Sequence, residues 1–254
     1  MNIVVPIKLV PDLVEELSID ASGTALDTTW MRLIINEFED HAIEQAMLLK
    51  ERYGGQVTVI AIDAEGIDDM LYTAAAKGVD RLIKLTGDLE GGLNNHALGR
   101  VLKPVVKDLQ PDLVLTGVQA HNDLDGPTGP LLAEQLGIPY IGYVAGVKVD
   151  GGKITLRKEY PGGLVAEMEL TLPAVLGIQA AETPPRYVPI SKVRQAMKTA
   201  SIEEQSMAEL DLSGGPSVGR MFQPEAAERA TMIEGSTDEI AARIIEILKE
   251  QGVL

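Results

Sequence analysis

Four short runs of aliphatic and β-branched residues punctuate the first half of the chain: "NIVVPIKLV" (2–10), "QVTVIAID" (56–63), "DRLIKL" (80–85) and "DLVLTG" (112–117). Their continuity, without a polar alternate, suits strands covered on both faces. Helical spacing fills the gaps. Residues 38–52 place Ala42, Ile43, Ala46 and Met47 on one stripe and stop at Gly54-Gly55, a helix with its terminator. Further helices are predicted over 67–77, 94–108 and 127–136. Strands alternating with helices predict a doubly wound α/β fold with a mostly parallel sheet.

The pattern departs from this rhythm in three places. "LSIDASGTALD" reads as a small hairpin excursion with Ser22-Gly23 at its turn. Between 138 and 180 the texture is β-rich, with Asp150-Gly151-Gly152 as a hairpin turn, so antiparallel strands are expected to finish the sheet. From Ala181 the chain is proline-rich and then helical, followed by a linker, "DLSGGPSVGR", and a terminal helix. Ser236 and Glu239 fit a capping box, and Ile240, Ile244, Ile245 and Leu248 form an apolar stripe. A helix on so long an arm must bury that stripe against its own sheet or on another chain.

Composition narrows the possible functions. With 22 Lys and Arg against 38 Asp and Glu the net charge is −16, which argues against nucleic acid as a partner because phosphate contacts need a basic surplus. The chain has no cysteine, which excludes thiol catalysis and thiolate-held metals. The N-terminal apolar run, broken by Pro6 and Lys8, reads as a first strand and not as a signal peptide. No apolar run approaches the ~20 residues that span a bilayer. The expectation is a soluble cytoplasmic protein without direct membrane insertion.

Catalytic signatures are absent. His41, His96 and His121 have no metal-ligand spacing, and no nucleophile elbow, Walker loop or GxGxxG occurs. The sequence offers no catalytic residue and no metal site. The better candidate is "TGVQAHNDLDGPTGPLLAEQLG" (116–137), a strand end, a polar loop and a helix start, where open α/β sheets bind ligands. With Gly126 as cap and Pro127 as first helical residue, the helix start presents N–H groups and a positive dipole end to an anion. Pro127 and Pro130 lack the N–H, which leaves Thr128 and Gly129 as donors, while Asp123 and Asp125 sit upstream and repel phosphate. A capped helix and a nucleotide site fit these residues equally. Asn36, before the first long helix, is a second candidate whose plain reading is an N-terminal turn residue.

Five segments in order resemble the β subunit of electron transfer flavoproteins, the FixA-like family, over nearly the whole chain. They are "IKLVPD" (7–12), "IINEFEDHAIEQAMLLKE" (34–51), "AAAKGVDRLIKL" (74–85), the 116–139 loop and helix, and "LTLPAVLGI" with "PRYVPISKVRQAMK" further on. Glu37 stands where the family has proline after Asn36, and Pro127 where it often has a glutamine able to donate to phosphate.

The resemblance implies a Rossmann-like, adenine-nucleotide-binding fold and an electron carrier subunit rather than an enzyme with its own substrate. It implies a larger α subunit that holds the electron-transferring FAD, and AMP buried in this subunit. In electron-bifurcating members a second FAD takes the place of AMP. Matching positions put the nucleotide against Pro6, Asn36, Ile62, Ala120, Asp123, Gly126, Pro127, Thr128 and Gly129. Ile190 occupies the place of the family's protruding residue that docks flavin-containing dehydrogenases, where its plain reading is a helix-start core residue. Electrons then pass to an acceptor such as a quinone oxidoreductase. The implied organisation is a nucleotide-binding domain over 1–185, a partner-recognition loop and helix over 186–200, and an arm over 201–254 that docks on the α subunit. A stand-alone ATP-binding protein of the universal-stress type predicts a compact chain with a glycine-rich phosphate loop; this chain has the arm and lacks that loop.

Overall fold

A computed structural model describes residues 1–87, 93–207, 213–225 and 230–254. Its contacts separate into two units, Met1–Gly219 and Arg220–Leu254. The first unit opens with β1 (Asn2–Ile7), β2 (Leu9–Pro11), β3 (Leu33–Ile35), α1 (Glu37–Tyr53) and β4 (Gln56–Ile62). It continues through α2 (Ile67–Lys77), β5 (Arg81–Thr86), α3 (Asn95–Leu109), β6 (Leu113–Gly117), α4 (Thr128–Leu136) and β7 (Tyr140–Asp150). Then come β8 (Lys153–Tyr160), β9 (Leu164–Thr171), β10 (Ala174–Ile178), α5 (Ile190–Thr199) and β11 (Ile202–Ser206).

Among the described residues nine strands share one sheet, in the order β11-β5-β4-β1-β6-β10-β7-β8-β9. Every pairing from β11 to β7 is parallel, and β8 and β9 add on antiparallel. The chain winds outward from β1 through β4 and β5, then returns to place β6 on the other side of β1. The strand order therefore reverses between β1 and β6, and the crevice beyond their carboxyl ends is where doubly wound sheets take ligands.

Both faces of the inner parallel strands are covered, which is why β1, β4, β6 and β10 are almost wholly apolar. Ile3, Val5 and Ile7 of β1 pack with Ala42, Ile43, Ala46 and Met47 of α1 and with Leu71 of α2. Val4 points the other way, into a cluster with Leu98, Val101 and Leu102 of α3 and Leu132 of α4. The α1 stripe read from the sequence is thus buried. Each large aliphatic side chain so buried contributes about 1.5–3 kcal/mol.

Three elements differ from the pattern-based expectation. The first apolar run splits at Lys8: β1 ends at Ile7, and Leu9–Pro11 turns aside to pair antiparallel with β3. The excursion that follows closes at an Ile19–Leu26 bridge, with the Asp20 carboxylate accepting the Ser22 and Gly23 N–H groups. β10 does not extend the antiparallel ribbon. All five of its residues are buried, and it sits in parallel between β6 and β7, a place that a continuous apolar pentapeptide can fill.

β11 lies in a stretch whose pattern reads as helical. It pairs with β5 at the sheet edge, where Arg81 donates two 2.7 Å hydrogen bonds to Glu203 and Lys84 lies 3.1 Å from Glu204. Charged residues on an edge strand hide its period and also guard it against further pairing.

The second unit carries α6 (Thr237–Glu250), opened by the expected capping box of Ser236 and Glu239. No helix among the described residues is long and apolar enough to cross a membrane.

Candidate functional site

The crevice at the β1/β6 reversal is built from the ends of three parallel strands and the starts of three helices. Lys8 follows β1 and is pinned on both sides of its backbone by the beginning of α1. Its carbonyl accepts the Asn36 N–H at 3.2 Å, and its own N–H donates to Glu39 Oε2 at 2.5 Å. The Asn36 side chain does not cap α1. It donates to the Gln119 carbonyl at 2.9 Å, tying the loop after β6 to the helix. Gly117 ends β6 so close to α1 that a Cβ there would lie 2.9 Å from Phe38 Cβ and 3.0 Å from Asn36 Nδ2.

A cleft of about 10 Å³ sits between these elements, room for about one water. Pro6, Ile7, Ile62, Leu98 and Leu102 give it apolar walls, and Lys8, Glu39, Thr116 and Thr128 supply its polar atoms. Three of the residues expected from the sequence, Pro6, Ile62 and Thr128, therefore line one space. The apolar walls suit a flat aromatic base, and Lys8 suits an anion.

The loop's acidic residues are consumed internally. Lys8 Nζ pairs with Asp123 Oδ1, whose side chain is 8% exposed, and Asp123 Oδ2 accepts the Ala120 N–H at 2.8 Å. Asp125 turns to the start of α3 and accepts the Asn95 and His96 N–H groups at 3.1 and 3.0 Å, satisfying donors that a helix start leaves orphaned. The repulsion that both aspartates would exert on a phosphate is thereby blunted, one by a cation and one by a helix terminus.

Asn95 ties the loop together. Its Nδ2 donates to Asp123 Oδ1 at 2.7 Å and to the Gly126 carbonyl at 2.8 Å, while its Oδ1 accepts from Thr128 Oγ1 at 2.9 Å and from Lys8 Nζ at 3.3 Å. Asn94, its neighbour, caps α3 by accepting the Ala97 N–H.

The start of α4 shifts by one residue from the expected position. Pro127 is the cap, with extended backbone at ψ 151°, and Thr128 is the first helical residue. Gly126 precedes it at φ 91°, a left-handed conformation that glycine adopts without strain. Gly129 is required by packing: a Cβ there would meet Thr116 Oγ1 at 2.6 Å and Tyr140 Cε2 at 2.8 Å. Ile190 stands apart from this cleft as the first residue of α5, and at 68% exposure it is not a core residue.

Glu39 is the one cleft-lining group whose titration is clearly displaced. Complete burial pushes its carboxyl up to about 7, against the opposing pull of Lys8. Lys8, Glu39 and Asn95 were not singled out by the sequence. The signals available were a lone lysine interrupting an apolar strand, an acid three residues after Asn36, and a second asparagine beyond the one needed as a cap.

A second polar cluster fixes the segment before α5. Arg186 bonds the buried Glu44 of α1 through Nε at 2.9 Å and Nη2 at 2.8 Å, donates its backbone N–H to the same carboxylate, and reaches Glu51 at 2.7 Å. Burial alone would raise the Glu44 carboxyl, but the Arg186 hydrogen bonds outweigh it and hold the pKa below the usual value.

Comparison with known proteins agrees with this architecture. The signature of the electron transfer flavoprotein domain matches residues 28–210. The chain is 36% identical to the electron transfer flavoprotein subunit beta of Methylophilus methylotrophus, with 98% of each chain covered. It is 33% identical to the subunit beta of Clostridium acetobutylicum, with 99% of each covered. Protein FixA of Azorhizobium caulinodans is 30% identical over all of this chain and 96% of its own. The chain belongs to the electron transfer flavoprotein family, among the β-subunit, FixA-like members.

Proposed function

We propose that this chain pairs with a larger α subunit carrying the electron-transferring FAD and holds AMP in the β1/β6 cleft as a structural nucleotide. In this reading electrons pass from flavin-containing dehydrogenases through the heterodimer to an acceptor such as a quinone oxidoreductase. The protein acts as a carrier subunit, in the cytoplasm, rather than as an enzyme with its own substrate. Residues 1–185 form the nucleotide-binding domain, 186–200 recognise the dehydrogenase through Ile190, and the arm over 201–254 docks on the α subunit.

The observation that carries the nucleotide reading is the cleft itself. It lies at the topological switch point, has apolar walls from Pro6, Ile62, Leu98 and Leu102, and has Lys8 as its cation for an anion. Asn36, Ala120, Asp123, Gly126, Pro127 and Gly129 shape it by holding the loop and the helix start. Ile190 is exposed between Tyr187 at 86% and the basic Lys192 and Arg194. An apolar protrusion with a cationic flank fits an acidic-rimmed pocket on a partner.

The second reading, a further FAD in place of AMP, draws on Pro127 and Pro130, which remove two amides from the start of α4 where a monophosphate would be clamped. Denaturing the natively purified heterodimer and identifying the released small molecules by mass spectrometry tests both. One FAD and one AMP per heterodimer is expected. Two FAD molecules and no AMP would replace the first reading with the second, and release of no nucleotide besides one FAD would remove both.

A further inference from the structure

This inference rests on the nucleotide reading above and concerns what meets the nucleotide's phosphate. Sequence points to Thr128 and Gly129, but the Thr128 hydroxyl already donates to Asn95, and Gly129 is buried against Thr116 and Tyr140. Of the residues lining the cleft, Lys8 alone is a cation. Its ammonium is held by an anion of the protein's own, Asp123.

The setting of Asp123 resembles that of a bound anion. One carboxylate oxygen receives the Lys8 ammonium and the Asn95 amide, and the other receives a backbone N–H, from Ala120. Cation, side-chain amide and main-chain amide form the donor set that phosphate oxygens take in proteins. Little else holds this stretch of loop inward. His121, Asn122 and Leu124 are exposed, and among residues 121–124 it is Asp123 whose side chain bonds inward, while Asp125 and the Gly126 carbonyl tie the next stretch to the start of α3. Asp125 bonds the start of α3 independently of Lys8, so 121–124 can move out while 125–128 stays anchored.

We infer that Asp123 is an intramolecular stand-in for the nucleotide's phosphate, which takes Lys8 and the Asn95 amide from it when the ligand binds. Two anions cannot share one lysine at short range in a cleft shielded from water without strong mutual repulsion. The phosphate's arrival and the departure of Asp123 are therefore one exchange. The exchange also explains a cleft that holds only about one water, because the empty site closes by pairing its own charges. Lys8 is thus a phosphate-binding residue, and Asp123 sets the affinity for the phosphate without contributing to it.

The test uses the native heterodimer stripped of its nucleotide, titrated calorimetrically with AMP and with adenosine. Asp123→Asn removes the competing charge and is expected to tighten AMP by roughly tenfold while leaving adenosine within about threefold. Lys8→Gln is expected to weaken AMP by at least about tenfold, again sparing adenosine. An AMP-to-adenosine preference that is unchanged or lowered by Asp123→Asn overturns the inference. So does an unchanged preference in Lys8→Gln. Should either variant fail to fold, a crystal structure of the unmodified heterodimer with AMP decides. A broken Lys8–Asp123 contact is expected there, and an intact one beside bound AMP overturns the proposal. If the stripped heterodimer binds neither AMP nor adenosine, the nucleotide reading itself falls and takes this inference with it. Binding of both with preferences that ignore Lys8 and Asp123 removes this inference alone.

Discussion

Glu39 is a carboxyl that the fold has taken wholly out of water while giving it one short backbone donor, the Lys8 N–H. Its pKa rises from 4.5 to about 7, so between those values the folded protein binds a proton that the unfolded chain has lost. The contribution of this group to stability is therefore greatest below about pH 4.5 and falls as pH rises through 7, by up to roughly 3 kcal/mol. Glu39→Gln keeps the acceptor and removes the titration. Urea denaturation across about pH 5 to 8 should show the falling slope in the natural protein and a flatter one in the variant; parallel slopes would contradict the assignment. At this scale the sequence was half legible. The loop carrying Asp123 and Thr128 stands out by its residue types. Lys8 and Asn95 do not, because their meaning comes from contacts 115 and 28 residues away along the chain, to Asp123 in both cases, and no spacing rule reaches so far. Gly129 shows the converse. Its residue type suits a phosphate amide, and the tight approach of α4 to Tyr140 explains it equally well.

Among the elements, the apolar pattern located four neighbouring parallel strands, β5, β4, β1 and β6, as continuous runs buried on both faces, and the helices that separate them by an apolar face repeating at 3.6 residues. It missed β11, whose exposed edge needs charge more than it needs a period, and it could not say that β10 inserts between β6 and β7, since insertion is a property of the sheet and not of the segment. The run before α5 is an element held by electrostatics rather than by pattern. Arg186 meets Glu44 with both side-chain and backbone donors. Arg186→Met leaves the Glu44 carboxylate, 3% exposed, without its cation, a change of the kind that costs about 3–5 kcal/mol. Glu44→Gln in the same chain removes the stranded charge yet still accepts the Arg186-position N–H, so the double variant should recover most of the loss. Chemical denaturation of the two single variants and the double closes this cycle. A double variant whose loss equals the sum of the two single losses would show that the pair acts independently. The same segment presents Tyr187 and Ile190, so under the proposed function Arg186→Met should also raise the KM of a proposed partner dehydrogenase for the heterodimer more than it lowers kcat.

For the molecule as a whole, the sequence reading sets an arm over 201–254 after the wound sheet, whereas the contacts divide the chain into a unit from Met1 to Gly219, which takes in β11, and a second from Arg220 to Leu254. The second unit is where local rules suffice for the helix and fail for its purpose. The Ser236 capping box satisfies the first turn of α6, with the Ser236 N–H bonding Glu239 Oε2 at 2.8 Å. Losing such a cap costs on the order of 1 kcal/mol. Yet α6 buries no residue, and Ile244 and Ile245 remain 45% and 47% exposed. Fourteen residues are marginal for a helix that lacks tertiary packing, and an isoleucine pair left in water forfeits about 25 cal/mol for each Å² that burial would remove. A proposed α subunit supplies the missing surface. Ile244→Ser with Ile245→Ser should then weaken association of the two subunits by at least about tenfold, measured by sedimentation of the mixed chains. The thermal transition of the isolated variant should stay within about 2 °C of the unaltered chain, because both isoleucines are exposed on α6 and substitutions at exposed positions change stability little. An undiminished association would mean that the stripe is not what the arm brings to its partner.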